Sequence, residues 1–212
     1  MVYAENILIC IAVPLAIAVL FIKGPARKFV ISFLVGMITC LLAAYISGFI
    51  QNMSGFTAED TSIFISPIIE EILKLLPILF FIFIFESDSR EVLLSAVGIG
   101  AGFATFENCC CILSSGAQDL TYVLVRGSAV GVMHIVTMAV LAFGLHILKK
   151  CRIFSFAGIL GALSLSMTFH ALYNILVSVP GVSSYLGYAL PLICAILLYF
   201  VYFRLKSVEE KD

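Results

Sequence analysis

The sequence predicts an all-α integral membrane protein: a polytopic bundle of about seven membrane-crossing helices. Three observations carry this. Hydrophobic residues make up 62% of the 212 positions and charged residues only 12%, whereas a soluble domain carries about a quarter. The apolar residues fall into seven stretches close to the ~20 residues that a helix needs to cross a bilayer. Finally, the basic residues cluster in alternate connections between those stretches.

The first expected span covers 5–22. Glu5 stands at its start, and Lys23, Arg27 and Lys28 follow it. That order is the reverse of a cleaved signal peptide, so the span is expected to be retained. GPARK at 24–28 leads into a second span at 29–50, and QNMSGFTAEDTS at 51–62 leads into a third at 62–85. Arg90 precedes the fourth, 92–113, and SSGAQD at 114–119 separates it from the fifth, 122–147. Lys149, Lys150 and Arg152 precede the sixth, 153–178, and VPGVSS at 179–184 turns the chain into the last, 184–204. These connections hold the polar and breaker residues that end helices.

Lys23, Arg27, Lys28, Arg90, Lys149, Lys150, Arg152, Arg204, Lys206 and Lys211 all fall on one side of such a model. The positive-inside rule then sets the N-terminus outside and the C-terminus in the cytoplasm of a multi-pass membrane protein. No polar stretch is long enough for a soluble domain and no internal repeat is visible, so 1–212 reads as a single transmembrane domain. A net charge of −1 gives no sign of nucleic-acid binding. The seven cysteines show no metal-ligand spacing, and consecutive Cys109, Cys110 and Cys111 read as packing residues.

Ionisable and polar groups inside spans are costly and are functional candidates by default. Here they are Glu70, Glu71, Lys74, Glu107, Asn108, Arg126, His134, His170 and Asn174. With a rise of about 1.5 Å per residue, Glu70 and Glu71 lie about 14 Å into span three, Glu107 about 10 Å below the outer end of span four, and His134 and His170 each about 12 Å deep. Four spans thus carry polar groups to a common depth in the outer half of the core. Within span three, Lys74 lies four residues after Glu70 and can neutralise one of the two carboxylates. In span six, His170 and Asn174 share a face.

A carboxylate and a histidine can activate water, and histidine or asparagine can stabilise the oxyanion of a hydrolysed peptide bond. No HExxH, GxSxG or Ser-His-Asp set stands out, and Ser164 and Ser166 read as helix-packing residues.

These residues resemble the motifs of the PrsW family of intramembrane proteases. EEILK at 70–74 resembles its EExxK motif, and FATFE at 103–107 its FxxxE. Arg126 with His134 in RGSAVGVMH resembles its third region, and HALYN at 170–174 its last motif. The resemblance covers about 64–178. That family is similar to the CAAX-processing proteases and to the multi-span scaffold subunit of gamma-secretase.

The resemblance implies a glutamate-dependent endopeptidase making the first cut in a single-span, membrane-anchored anti-sigma factor, which leads to sigma-factor activation under stress. It implies that Glu70 or Glu71 is the general base, that His134 assists or orients the water, and that His170 and Asn174 polarise the scissile carbonyl. Glu107 then orients a histidine or shuttles a proton, Lys74 and Arg126 are charge partners, and Phe103 packs beside the site.

Without tight ligand spacing, metal-free chemistry is favoured. If zinc is used, its ligands come from Glu70, Glu71, His134 and His170. Two other classes fit intramembrane ionisable groups: a proton- or ion-coupled carrier, and a non-catalytic scaffold like the gamma-secretase subunit.

Overall fold

The computed structural model describes residues 4–85, 89–115, 119–150 and 156–209. Among them every regular element is helical: α1 (Ala4–Val19), α2 (Gly24–Ser54), α3 (Ala58–Asp60), a π-helical turn (Thr61–Ile65), α4 (Ser66–Phe85), α5 (Ser89–Ser115), α6 (Leu120–Lys150), α7 (Phe156–Ser178) and α8 (Val182–Glu209). Each of the seven expected spans has its helix. α3, the π turn and α4 together form the third. Arg152 and Lys211 of the basic clusters, and positions 116–118 of SSGAQD, lie outside the described residues.

Among the described residues five helices, α2, α5, α6, α7 and α8, are long and apolar enough to cross a membrane. α4 has the length, at 20 residues, but holds Glu70, Glu71 and Lys74 within it. α1 is shorter than expected: 16 residues, or about 24 Å against a hydrocarbon core of about 30 Å. It buries none of its residues and leans on α2 and α5.

The polar stretch after span two is shorter in the fold than in the sequence. α2 continues through Gln51–Ser54 and stops where Gly55 turns left-handed (φ 72°) and donates its N–H to the Gln51 carbonyl. Thr57 then starts the next helix. Its hydroxyl oxygen accepts from the Asp60 N–H at 3.0 Å, and its O–H donates to the Asp60 carboxylate at 2.7 Å.

α2, α5, α6, α7 and α4 form a closed ring, each packed on the next, with α4 completing the circuit between α7 and α2 and also touching α5 and α6. α8 lies outside, against α6 and α7. The first residues of α2 and α5 share one end of the ring, where Lys28 Nζ meets Glu91 Oε2 at 2.9 Å. Lys28 and Arg90 thus share one end of the bundle as expected, but in the first turns of α2 and α5 rather than in the connections before them.

Lipid offers helices no hydrophobic reason to associate, so close backbone approach through small residues matters more than in water. The segment GIGAG at 98–102 supplies it. A Cβ on Gly102 would strike the Phe33 carbonyl of α2, and one on Gly36 would strike the Ile99 carbonyl of α5. On another face of α5, a Cβ on Gly100 would come within 2.7 Å of the His134 carbonyl of α6. α2 and α6 are thereby drawn onto α5 at backbone contact. Below the site the ring is filled by buried Leu75, Ile78, Ile99, Met138, Leu141 and Leu145.

Gly102→Ala is expected to force α2 and α5 apart and lower stability by about 1–3 kcal/mol. Gly161→Ala on α7, where an added Cβ meets nothing within 4 Å, is expected to be neutral or stabilising by up to about 1 kcal/mol. Thermal unfolding of the two variants in detergent checks the contrast.

Candidate active site

The polar groups that the sequence puts at one depth converge in the structure. α4 contributes Glu70, Glu71 and Lys74; α5 Phe103 and Glu107; α6 Arg126 and His134; α7 His170 and Asn174. Glu71, Lys74 and His134 are wholly buried, and His170 is nearly so.

One chain of contacts joins them. Arg126 donates to Glu107 Oε1 at 3.1 Å, and Glu107 Oε2 lies 2.6 Å from His134 Nε2. His134 Nδ1 is 2.8 Å from Lys74 Nζ, which also donates to Glu71 Oε1 at 2.8 Å. Glu71 Oε1 is 3.0 Å from His170 Nδ1, and His170 turns Nε2 toward Glu70 Oε2, 3.8 Å away.

The partners fix the ring protons. An ammonium only donates, so His134 Nδ1 accepts, and Nε2–H donates to Glu107. Glu71 is acceptor-only as a carboxylate, so His170 donates from Nδ1 and its Nε2 faces Glu70.

The paired glutamates are therefore not equivalent. The sequence spacing allowed Lys74 to pair with either. In the structure it bonds Glu71, at i,i+3, and leaves Glu70, at i,i+4, at 3.9 Å. Glu70 Oε2 is buried and has no hydrogen-bond partner among the described residues. Lys74 has a third neighbour, the face of Phe103, 4.0 Å from Nζ to the ring centroid. Phe103 does more than pack: its ring caps the buried cation and also lies 4.7 Å from the His134 ring.

A cavity of about 620 Å³ opens on one side of this set, lined by Glu70, Glu107, Phe103, Arg126, His170 and Asn174. Glu71, Lys74 and His134 stand behind that wall and do not line it. The cavity also takes in a face of α2 that sequence reasoning passed over: Cys40, Ala43, Ala44, Ser47, Gly48 and Gln51. The recurrence of small residues at helical spacing was the available signal.

Asn174 lines the cavity, and its amide donates to the Ser62 carbonyl at 2.9 Å. That carbonyl needs a partner for a local reason. In the π turn the Ser66 N–H reaches back to the Thr61 carbonyl, five residues away, and Pro67 has no N–H to offer. The side chain of Asn174 takes the place of the missing backbone donor.

Glu70, His134 and His170 each present one ligand atom, all within 4.8 Å of one another. Two imidazoles and a carboxylate are a donor set that zinc accepts. Each imidazole is held from behind by a carboxylate, Glu71 for His170 and Glu107 for His134, as outer-shell partners hold metal-binding histidines. Glu70 Oε2, buried and without a hydrogen bond, fits a cation as well. The residues fit the group, with His134 Nδ1 engaged by Lys74.

Glu71→Ala is expected to strand the Lys74 charge in the core and cost about 3–5 kcal/mol. Glu70→Ala removes no hydrogen bond and is expected to cost less than about 1 kcal/mol. Melting temperatures and monodisperse yield in detergent separate the two neighbours.

A family model described as PrsW family intramembrane metalloprotease matches residues 24–204. Nothing among curated proteins or among solved structures matches. The family match spans most of the chain, and the chain belongs to that family.

Proposed function

We propose that this PrsW family member hydrolyses a peptide bond of a single-span membrane protein inside the cavity, with Glu70 and His170 activating the attacking water. Family membership makes it a membrane protease. The observation that supports these roles is the gap between Glu70 Oε2 and His170 Nε2. At 3.8 Å it is too long for a direct hydrogen bond, yet a water at its mouth would be within reach of both acceptors.

Glu70 takes the water proton. Glu71, already committed to Lys74 and to His170 Nδ1–H, orients the imidazole and does not act as base. His170 accepts the second water proton at Nε2 as the water oxygen bonds to the carbonyl carbon and gives it to the amide nitrogen as the C–N bond breaks, and Glu70 then passes its proton to the departing amine. Asn174 retains one amide N–H beyond its bond to Ser62. Arg126 Nε–H is buried without a partner among the described residues. Both residues line the cavity and supply donors for the developing oxyanion. Glu107 orients His134. A zinc ion held by Glu70, His170 and His134 would instead supply Lewis-acid activation of the attacking water, in place of proton abstraction by Glu70 and His170.

The substrate class follows from the place of the site. The polar set lies within apolar spans, so the scissile bond reaches it from within or beside the bilayer. With the N-terminus outside, as the basic residues argue, the cavity lies in the outer half of a bacterial plasma membrane. A first cut there in a membrane-anchored anti-sigma factor, releasing its sigma factor under stress, is the biological step that the family resemblance supports.

Reconstituted in liposomes with a single-span substrate, the protein is expected to cleave unaided. Glu70→Gln is expected to lower kcat by about 10²–10⁴-fold, with little change in melting temperature. Mapping the new termini by mass spectrometry locates the bond. A Glu70→Gln variant that cleaves at the wild-type rate would remove the assignment.

A further inference from the structure

We infer that the Lys74 ammonium is a resident cation that competes with a divalent metal for His134, so that Lys74 and Phe103 together set the metal affinity of the site. The inference rests on the protease reading and deepens it, since it concerns what governs loading of the same centre.

Three observations carry it. His134 Nδ1 has a single lone pair in the ring plane, and Lys74 Nζ occupies it at 2.8 Å. A hydrogen bond from an ammonium and a bond to a metal cannot share that lone pair. Nor can His134 turn its other nitrogen inward, because Nε2 is held by Glu107 at 2.6 Å.

The ammonium also lies among the atoms that a metal would use. It is 2.8 Å from His134 Nδ1 and 3.9 Å from Glu70 Oε2, and the candidate donors of Glu70, His134 and His170 fall within 4.8 Å of one another. Lys74 is thus placed where a positive charge is wanted, and it holds the imidazole and both carboxylates together without a metal.

The cation is enclosed rather than merely paired. Glu71 Oε1 lies at 2.8 Å and the Phe103 ring at 4.0 Å to its centroid, and the side chain is completely buried. For a metal to take His134, the ammonium must withdraw from the imidazole. The Phe103 face strengthens its hold where it sits. The two residues therefore act against metal binding although neither can ligate a metal in this position.

The test is a zinc titration of the purified protein in detergent, for wild type, Lys74→Met and Phe103→Leu, with His170→Ala introduced into each as a control. Competition predicts a direction that damage to the site does not: tighter binding. Lys74→Met is expected to bind zinc roughly 10- to 100-fold more tightly than wild type, the effect of losing one charge-assisted hydrogen bond on the competing side. Phe103→Leu, which leaves every charge in place, is expected to tighten binding by about threefold or more.

Equal or weaker zinc binding by both variants overturns the inference. So does a tightening that survives His170→Ala, because the metal then sits elsewhere. Should Lys74→Met fail to fold with Glu71 left unpaired, Phe103→Leu decides alone, since it keeps an apolar side chain and all the ion pairs. The titration needs no substrate. Unchanged zinc affinity beside intact cleavage sinks only the competition, whereas the predicted tightening in a protein that cleaves no single-span substrate sinks the protease reading.

Discussion

A lysine ammonium in the middle of a membrane protein is the constraint around which the ring is built. A buried unit charge is tolerated only when opposite charge and hydrogen bonds enclose it. Lys74 of α4 meets that demand with Glu71 of its own helix, His134 of α6 and the face of Phe103 of α5. Glu71 in turn engages His170 of α7. Four helices are therefore registered around one buried ion pair. Sliding any of them by a residue would leave either the cation or a carboxylate without its partner. In a bilayer, where apolar side chains pack equally well on lipid, this requirement distinguishes the observed arrangement from its neighbours more sharply than the aliphatic core does.

The glycines of α5 make that convergence physically possible. Side chains such as Glu and His reach only a few ångströms, so their helices must approach closely at the depth of the site. Gly100 lets the backbone of α6 touch α5 at His134, the residue that spans Glu107 and Lys74. Gly98 and Gly102, on another face, seat α2. The polar network and the backbone seams sit at the same level of the bundle, and each depends on the other. Because the seams join α2, α5 and α6, the cavity wall on that side is held by backbone contact. The α4 side is held by the ion pairs together with Leu75 and Ile78 in the aliphatic core.

Much of this was legible in the sequence because an ionisable residue inside an apolar span stands out against its surroundings. EEILK, FATFE, RGSAVGVMH and HALYN could be read as one constellation from type, order and depth, and the helices fall where the apolar stretches do. Three things were not legible. Which of Glu70 and Glu71 is committed to Lys74 depends on the helical phase of α4 and on how a flexible lysine folds back, and spacing permits both. The partner of Asn174 is a backbone carbonyl released by a proline and a π turn, and residue type gives no sign of it. The α2 wall of the cavity is made of small residues whose role is to leave space, so it carries no charge or motif to notice. The shortness of α1, by contrast, reflects local order within an apolar run whose ends were already blurred.

The π turn bears on how this chain can vary by descent. Each residue added to or removed from a helix rotates everything beyond it by about 100°. The turn at Thr61–Ile65 lies between the Thr57 cap and the glutamates, and Asn174 clasps it from α7. A single-residue insertion or deletion between the turn and the glutamates would rotate α4 as a unit, swinging Glu71 away from His170 and carrying Lys74 away from His134. Length changes are better absorbed on the far side of Thr57, in the bend at Gly55, where no buried pair depends on the phase. Among homologues, insertions and deletions should accordingly stop at Thr57, while the interval from that threonine to the first glutamate stays constant even where its residues differ.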